Sequence, residues 1–558
     1  MFVVFEGIDG GGKTTLSNLV ASLLRERGLV VEHVREGGKF ASAVTQAMRE
    51  LGRDARNLAL TPRAELLLYL TREVQLAEEA TRPALRRADV VIADRYMYTA
   101  ETLAVAGRAM LQDEVTALVT AAANGLWPEL VVLVDVDRHV ARARRRVSKL
   151  LTPDAKPPSR KGLAGTALQH RLRDGYRALA ARDPARWLVV DNTEADLQQM
   201  AVALADMIGA GRADGVPAAL GRMVHPPTPV ALRGDDLERA RTALLAWIDR
   251  RSTREPALAA YFLGGLGGPG LDERRRALAP RAPAVVADGL RWLHDAAAWQ
   301  LRHELATLAP EQVARSLAGP AAAHADAPAL LETLLTLAPA GVSSALVGRD
   351  DEPAWALRAR LPADLAARSL CGVPGERAEA MRDRWLAGRG GLEGIEDVAT
   401  AALACKAVES VGDDRAWAIR RRLRDVAPVA ALDSTYLLED DRSWKWRERA
   451  IERAPKIVMR TIGLSLDPRA WALRERVIGH CEETLDSLVG LDTAPAWKLR
   501  EAARDHWPAS AVKSLGALGA TERGRRFVAS ALAHAPHDVA LWRHALIVTG
   551  GGSEPTQW

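Results

Sequence analysis

The sequence predicts an α/β domain built on a five-stranded parallel sheet with helices on both faces, followed by an all-α helical-repeat solenoid. Three observations carry this prediction. Short apolar runs of strand formers alternate with helical stretches over about the first two hundred residues. The first turn holds a complete phosphate-loop motif, and beyond residue 230 the pattern is helical throughout and repeats itself. A chain of 558 residues also exceeds one ordinary core, so two or more domains are expected.

The first strand is Phe2 to Phe5, stopped by Glu6-Gly7. Gly7-Ile8-Asp9-Gly10-Gly11-Gly12-Lys13-Thr14 follows, then Thr15, and the pattern turns helical from Leu16 through Leu24. A strand before and a helix after identify a nucleotide phosphate site. The glycines let several backbone N–H groups turn onto one phosphate, and the helix aims the partial positive charge of its N-terminus at the same place. Lys13 can reach the outer phosphates, and the Thr14 hydroxyl can hold Mg²⁺. Leu29 to Val34 reads as a second strand ending in Arg35-Glu36-Gly37-Gly38. Ala64 to Arg82 reads as a helix closed by Pro83. Val90 to Ala93 is a buried strand ending in Asp94-Arg95-Tyr96, and Leu130 to Val134 and Trp187 to Val190 are two more. Ligands in such a sheet sit beyond the carboxyl ends of the strands, where Gly7, Arg35, Asp94 and Asp135 fall.

Residues 209–229 have neither a strong helical nor a strand period and read as a Gly/Pro linker. Beyond them Trp299-QLRHELATLAP, Trp417-AIRRRLRDVAP, Trp444-KWRERAIERAP and Trp497-KLREAARDHWP share one frame, as do shorter matches at Trp355 and Trp471. From Trp417 the anchors fall 27, 27, 26 and 28 residues apart, whereas between Trp355 and Trp417 the register is poor, with Glu379 the nearest candidate. Each unit reads as a short helix pair with Asp413, Asp440 or Asp467 as the N-cap and a proline ending the first helix and opening the second. Such pairs must stack to bury an apolar face. The pattern is similar to HEAT-like repeats, and the array is expected over 230–550 with a tail at 551–558. Leu301, Leu305 and Leu308 form the expected core stripe, with Trp299 nearly opposite beside Arg302. A ladder of Trp and Arg is either a partner-binding surface or, the preferred reading, packing between repeats.

An apolar content of 48% with 26% charge is that of a globular chain, and a net charge of +5 makes no case for nucleic acid. Acids such as Glu439-Asp440-Asp441 lie among the arginines of the repeats, which also argues against nucleic acid. Three widely spaced cysteines suggest neither a disulfide framework nor a metal site. No apolar run is long enough to cross a bilayer, and the start lacks the basic leader of a signal peptide, so a cytoplasmic setting is expected.

FEGIDGGGKTT, the Arg-Glu-Gly-Gly turn, VIADRY with Thr99, and Arg171 to Asp191 together resemble the thymidylate kinase family over residues 1–208. The resemblance implies a P-loop kinase domain that uses ATP and Mg²⁺ to phosphorylate a deoxynucleoside monophosphate, dTMP in the family. It places Lys13 and Thr14 on ATP phosphates and Mg²⁺, and Asp9 on the acceptor's sugar. It places Asp94 and Arg95 near the metal and the acceptor phosphate, and Tyr69 where a ring stacks on thymine. A homodimer through this domain is a further possibility. Counting back from Pro83, the family's base-reading arginine falls on Glu73, with Arg72 one place away and about 100° round the helix. A carboxylate there accepts only, which suits an amino-bearing base rather than thymine. Arg35, Tyr69, Arg72, Glu73 and Thr99 therefore stand as substrate-side residues, with the base left open. Some members carry an arginine inside the phosphate loop, where this chain has Gly10. From Arg138 to Arg173 there are eleven Lys/Arg and one acid, interrupted by Pro and Gly from Leu151 to Gly165. A charge run is usually a solvated face; its place after the fourth strand, where the family carries its lid, points to Arg142, Arg145 or Arg146 as the source of catalytic charge.

Two functions follow. One is a nucleoside monophosphate kinase with a partner-binding repeat domain. The other is an interaction protein whose kinase-like half binds nucleotide and has lost or changed its substrate, as Glu73 suggests, together with Thr102-Leu103-Ala104 where the family carries Ala-Tyr-Gln after the Asp-Arg pair.

Overall fold

Five strands run parallel in the order β2-β3-β1-β4-β5: β1 (Phe2–Glu6), β2 (Val31–His33), β3 (Val90–Asp94), β4 (Leu130–Asp135) and β5 (Trp187–Asp191). The computed structural model describes residues 1–34, 42–152, 160–194, 196–211, 237–268 and 270–550. Arg35 and its turn, most of the expected 209–229 linker, residues 153–159 of the expected lid and the 551–558 tail lie outside the described residues. By internal contacts the chain divides into two units, Met1–Arg145 with Pro157–Pro229, and Arg146–Lys156 with Val230–Trp558.

In the first unit β1, β3 and β4 are buried from end to end. Near-continuous Val, Ile, Leu and Phe runs require this, because a parallel sheet is covered on both faces. Helices α1 (Lys13–Glu26) and α10 (Leu197–Gly209) pack together over one face. Leu16, Val20 and Leu24 meet Met200, Leu204 and Ile208 in a core shared with Val3, Phe5, Val132 and Val134. The remaining helices are α2 (Ala43–Arg53), α3 (Pro62–Leu76), α4 (Arg82–Leu85), α5 (Met97–Thr102), α6 (Gln112–Ala123), α7 (Arg138–Leu151), α8 (Arg160–Leu163) and α9 (Ala167–Arg182). Phe5 pairs with Asp94, and Glu6 with Leu133, so the strand ends that carry Gly7, Asp94 and Asp135 lie level.

Pro83 does not close the long helix, as the sequence suggested. α3 stops at Leu76, the backbone continues through a π-helical turn at Ala77–Thr81, and Pro83 lies in the first turn of α4.

The helices of the second unit come in pairs. Asp413, Asp440 and Asp467 accept from the N–H groups of Ala416, Ser443 and Arg469, as expected of N-caps. Pro310, Pro339, Pro428, Pro455 and Pro508 open the second helix of their pairs. Successive second helices pack side by side, and the last helix, Val539–Val548, packs on the first, Leu237–Ser252. Arg543 Nε donates to the Gly264 carbonyl at 3.1 Å across that junction. The array of repeats thus closes end to end.

The arginine three places after each anchor tryptophan, rather than the tryptophan alone, defines the repeat. Arg302, Arg358, Arg420, Arg447, Arg474 and Arg500 are at most 1% exposed. Each guanidinium lies 4.5–5.1 Å from its own Trp ring. Each also pins backbone carbonyls: Arg420 Nη2 donates to Val408 O at 2.6 Å and Ser434 O at 2.9 Å, while its Nε donates to Ser434 Oγ at 3.0 Å. Arg382 makes the same kind of contacts, to Leu370 O at 3.2 Å and Ala407 O at 2.8 Å, from a repeat in which Glu379 holds the Trp position. Glu379 is therefore in register. The other face of the ring is covered from the next repeat, where Arg377, Arg442, Arg469 and Arg523 lie 4.0–5.0 Å from Trp355, Trp417, Trp444 and Trp497. Tryptophans clamped in this way are packing, not display. Two side chains move from their expected places accordingly. Trp299 is buried against Arg302, and Leu308 is 62% exposed because the helix Ala296–Leu305 ends before it.

Candidate active site

The phosphate loop joins β1 to α1. Gly7, Gly10 and Gly12 have φ of 136°, 88° and 88°, the left-handed region that a side chain resists. At Gly10 a Cβ would also fall 2.4 Å from the Ala141 carbonyl oxygen and 3.1 Å from Arg145 Cγ. Only glycine lets α7 lie this close, and Arg145 comes with it. Lys13 is buried, and its Nζ donates to Ile8 O at 2.7 Å. Burial and the nearby Arg95 pull its pKa down to about 8, against the opposing pull of Asp94, Asp9 and Glu6. Gly11 and Ile8 are buried in the loop, whereas Thr15 is exposed on α1.

At the end of β3, Asp94 Oδ2 accepts from Thr14 Oγ1 at 2.5 Å. Asp94 Oδ1 is buried without a hydrogen-bond partner among the described residues. A hydroxyl beside an unmatched carboxylate oxygen suits a hard divalent cation. Among the described residues there is no cluster of three or more His, Cys, Asp or Glu side chains.

The next residue, Arg95, has φ +82°, a strained value for a side chain of this size. Its surroundings over-determine it. Nη1 donates to Gly7 O at 3.0 Å, Thr99 Oγ1 at 3.3 Å and Tyr176 OH at 3.1 Å, and Nη2 to Asp9 Oδ1 at 2.5 Å. Glu6 lies 3.7 Å from the guanidinium and is fully buried. It accepts from Tyr96 N at 2.9 Å and Thr99 Oγ1 at 2.8 Å. Burial raises the Glu6 pKa even against the pull of Arg95. Strain held by a dense network is common at functional sites. Arg95, Asp9 and Thr99, singled out from the sequence, are thus brought together; Glu6 and Tyr176 were not singled out. Their partners lie some eighty to ninety residues away in sequence, beyond the reach of any spacing rule.

On α7, burial lowers the Arg145 pKa, Asp9 opposes this, and Arg142 adds to it. Arg142 and Arg145 belong to the first unit, whereas Arg146 falls with residues 146–156 in the second. Asp135, at the end of β4, accepts from Arg173 Nε at 2.7 Å and Arg177 Nη2 at 2.5 Å. Burial pushes its pKa up, but the two arginines outweigh this and hold it below the ordinary carboxylate value.

On α3, Arg72 and Glu73 are both buried and paired with each other, with Arg72 Nε donating to Glu73 Oε1 at 3.1 Å. The Arg72 guanidinium lies 4.6 Å from the centre of the Tyr69 ring. The π-helical turn between Glu73 and Pro83 takes up one residue more than α geometry would.

The profile of a family described as thymidylate kinase matches residues 5–201. A thymidylate kinase of Trichlorobacter lovleyi is 35% identical over 210 residues, covering 37% of this chain and 96% of its own. One from Thermomicrobium roseum is 36% identical over 192 residues, covering 34% of this chain and 87% of its own. A crystal structure of thymidylate kinase from Ehrlichia chaffeensis aligns at 22% identity with a TM-score of 0.29, over 37% of this chain and 98% of that one.

Proposed function

We propose, from the premise that this chain belongs to the thymidylate kinase family, that it transfers the γ-phosphoryl group of ATP to dTMP, giving dTDP and ADP. Membership makes it a phosphotransferase of the nucleoside monophosphate kinase class. The observation that carries the finer reading is the convergence at one edge of the sheet of Lys13, the Thr14–Asp94 pair and the Arg95–Asp9 network.

In this reading an acceptor phosphate oxygen attacks the γ-phosphorus, and the bond to the β–γ bridging oxygen breaks in line. The phosphate loop from Gly7 through Thr15 cradles the ATP phosphates, with Lys13 on the outer ones. Thr14 and Asp94 would hold Mg²⁺, which supplies charge neutralisation across the phosphates. Arg95 is already aimed by Glu6, Thr99 and Tyr176, and it clamps the acceptor phosphate; Asp9 exchanges its Arg95 partner for the sugar hydroxyl. Arg145, pressed on Gly10 with Arg142 beside it, supplies the positive charge that a loop arginine would otherwise bring.

For the base, support comes from the grip of Glu73 on Arg72 and the stacking of Arg72 over Tyr69. Arg72 is then the donor to a thymine carbonyl and Glu73 its positioning partner. This reading favours thymine over the amino-bearing bases that a free Glu73 would prefer. The test is coupled ADP release across a panel of nucleoside monophosphates. The reading requires dTMP to lead the panel; a lead for dCMP or dAMP would return Glu73 to the base.

Exposed Leu67 and Val74 on α3, with Val44 and Leu51 on α2, support a homodimer through this unit. The repeats are read as HEAT-like and as a docking platform for a protein partner. With most anchor tryptophans and the arginines three places after them buried, further support is the pair Leu308 and Leu337, 62% and 55% exposed just ahead of Pro310 and Pro339.

A further inference from the structure

One buried amide joins the phosphate loop to two other elements, and neither the sequence motif nor the proposed chemistry uses it. Asn192 follows β5 and is 3% exposed. Its Nδ2 donates to Gly11 O at 2.7 Å, its backbone N–H donates to Asp135 O at 2.7 Å, and its own carbonyl accepts from Arg144 Nη1 at 3.1 Å. The loop after β5, the end of β4, the phosphate loop and the lid-side helix α7 therefore meet at one residue. The acceptor Gly11 O fixes the amide orientation, since only the NH₂ end can donate.

We infer that Asn192 is a positioning residue for ATP, holding the Gly11–Gly12 peptide so that the Gly12 N–H faces the phosphates. The argument is geometric. A peptide is planar and trans, so its C=O and N–H point in opposite directions. Fixing the Gly11 carbonyl outward on Asn192 fixes the Gly12 N–H inward. Glycines on both sides of this peptide, with φ +88° at Gly12, would otherwise let it turn freely. The fit is close, because a Cβ on Gly12 would fall 2.4 Å from Asn192 Nδ2. The neighbouring Gly11 N–H is not available for phosphate, since it is spent on Ile8 O at 3.2 Å. The cradle thus depends on the peptide that Asn192 holds. Through its carbonyl the same residue ties Arg144, one place before Arg145, to the loop.

This inference rests on the kinase reading, and its test separates the two. In the full chain, Asn192→Asp keeps the shape but cannot donate when ionised, and it places negative charge beside the phosphates; Asn192→Ala removes the group. The expected result is an ATP KM raised about tenfold in Asn192→Ala and more in Asn192→Asp, the span of a hydrogen bond to a charged group. The kcat at saturating ATP and the KM for the acceptor should stay within about threefold, and Asn192→Ser, which retains a short donor, should fall between Ala and wild type. The melting temperature of the nucleotide-free variants is recorded alongside. An unchanged ATP KM in both Asp and Ala variants overturns the inference, and so does a fall in kcat that tracks melting temperature with KM unmoved. If Asn192→Asp fails to fold, the Ala and Ser pair decides by the same KM ordering. Lys13→Ala is the control for the underlying reading. Its loss of turnover alongside wild-type behaviour at Asn192 removes the clamp alone, while full activity of Lys13→Ala removes the phosphate site itself.

Discussion

Raising the pH should weaken ATP binding through Lys13, and the size of the effect follows from its surroundings. In the nucleotide-free site Lys13 titrates near 8. Phosphate anions beside it favour the charged form, so the pKa rises on binding and a proton is taken up. Binding therefore requires protonated Lys13, whose population falls from about nine-tenths at pH 7 to about one-tenth at pH 9. The dissociation constant should rise about tenfold over that interval, or about 1.4 kcal/mol. The last ionisation of a phosphate group, near pH 6, lies below the window and does not mimic the effect. Titration calorimetry at constant ionic strength measures both consequences. At pH 8 about half a proton should be taken up per nucleotide bound, read from buffers of different ionisation enthalpy. Lys13→Met, which cannot titrate, should bind more weakly and with no pH dependence from 7 to 9. Constant affinity across that range in the wild type, with no proton uptake at pH 8, would refute the depressed lysine.

Three further outcomes are expected. Arg145→Gln should lower kcat by about a hundredfold or more while moving the ATP KM only a few-fold, because its charge is needed mainly as the transition state forms; equal losses in both would mean a general electrostatic patch. Arg72→Gln should raise the KM for dTMP at least tenfold, and Glu73→Gln should raise it less, since it loosens the arginine without removing it; a larger effect from Glu73→Gln reverses the assignment. In the repeats, Arg420→Met should cost about 1 to 3 kcal/mol in urea denaturation, because it removes the buried donor shared by the Val408 and Ser434 carbonyls. Arg526→Ala, which breaks only an exposed pair with Glu522, should leave the midpoint unchanged.

The sheet and its ligand edge were legible because they rest on local rules. Valine-rich runs make buried parallel strands, and GxxxxGKT makes a phosphate loop, whatever the rest of the chain does. The caps at Asp413, Asp440 and Asp467 and the prolines that open second helices were legible for the same reason. What escaped depends on distant partners or on small departures from ideal geometry. Asn192 meets Gly11 across 181 residues, and nothing in VVDNT announces it. The π-helical turn at Ala77–Thr81 is likewise a departure from ideal helix that the apolar pattern from Ala64 to Arg82 does not reveal. In the repeats tryptophan is the more conspicuous residue, so the frame failed at Glu379, whereas Arg382 keeps the contacts. Leu308 was assigned to the core by extending helical periodicity past Leu305, where the helix ends.

Whether this chain makes dTDP is tested by incubating it with ATP, Mg²⁺ and dTMP and separating the nucleotides chromatographically. dTDP and ADP should form one for one, faster than the products from dCMP or dAMP, and Lys13→Ala should abolish both. ATP bound but no dTDP formed, or dTMP ranking below dCMP or dAMP, would contradict the proposed function.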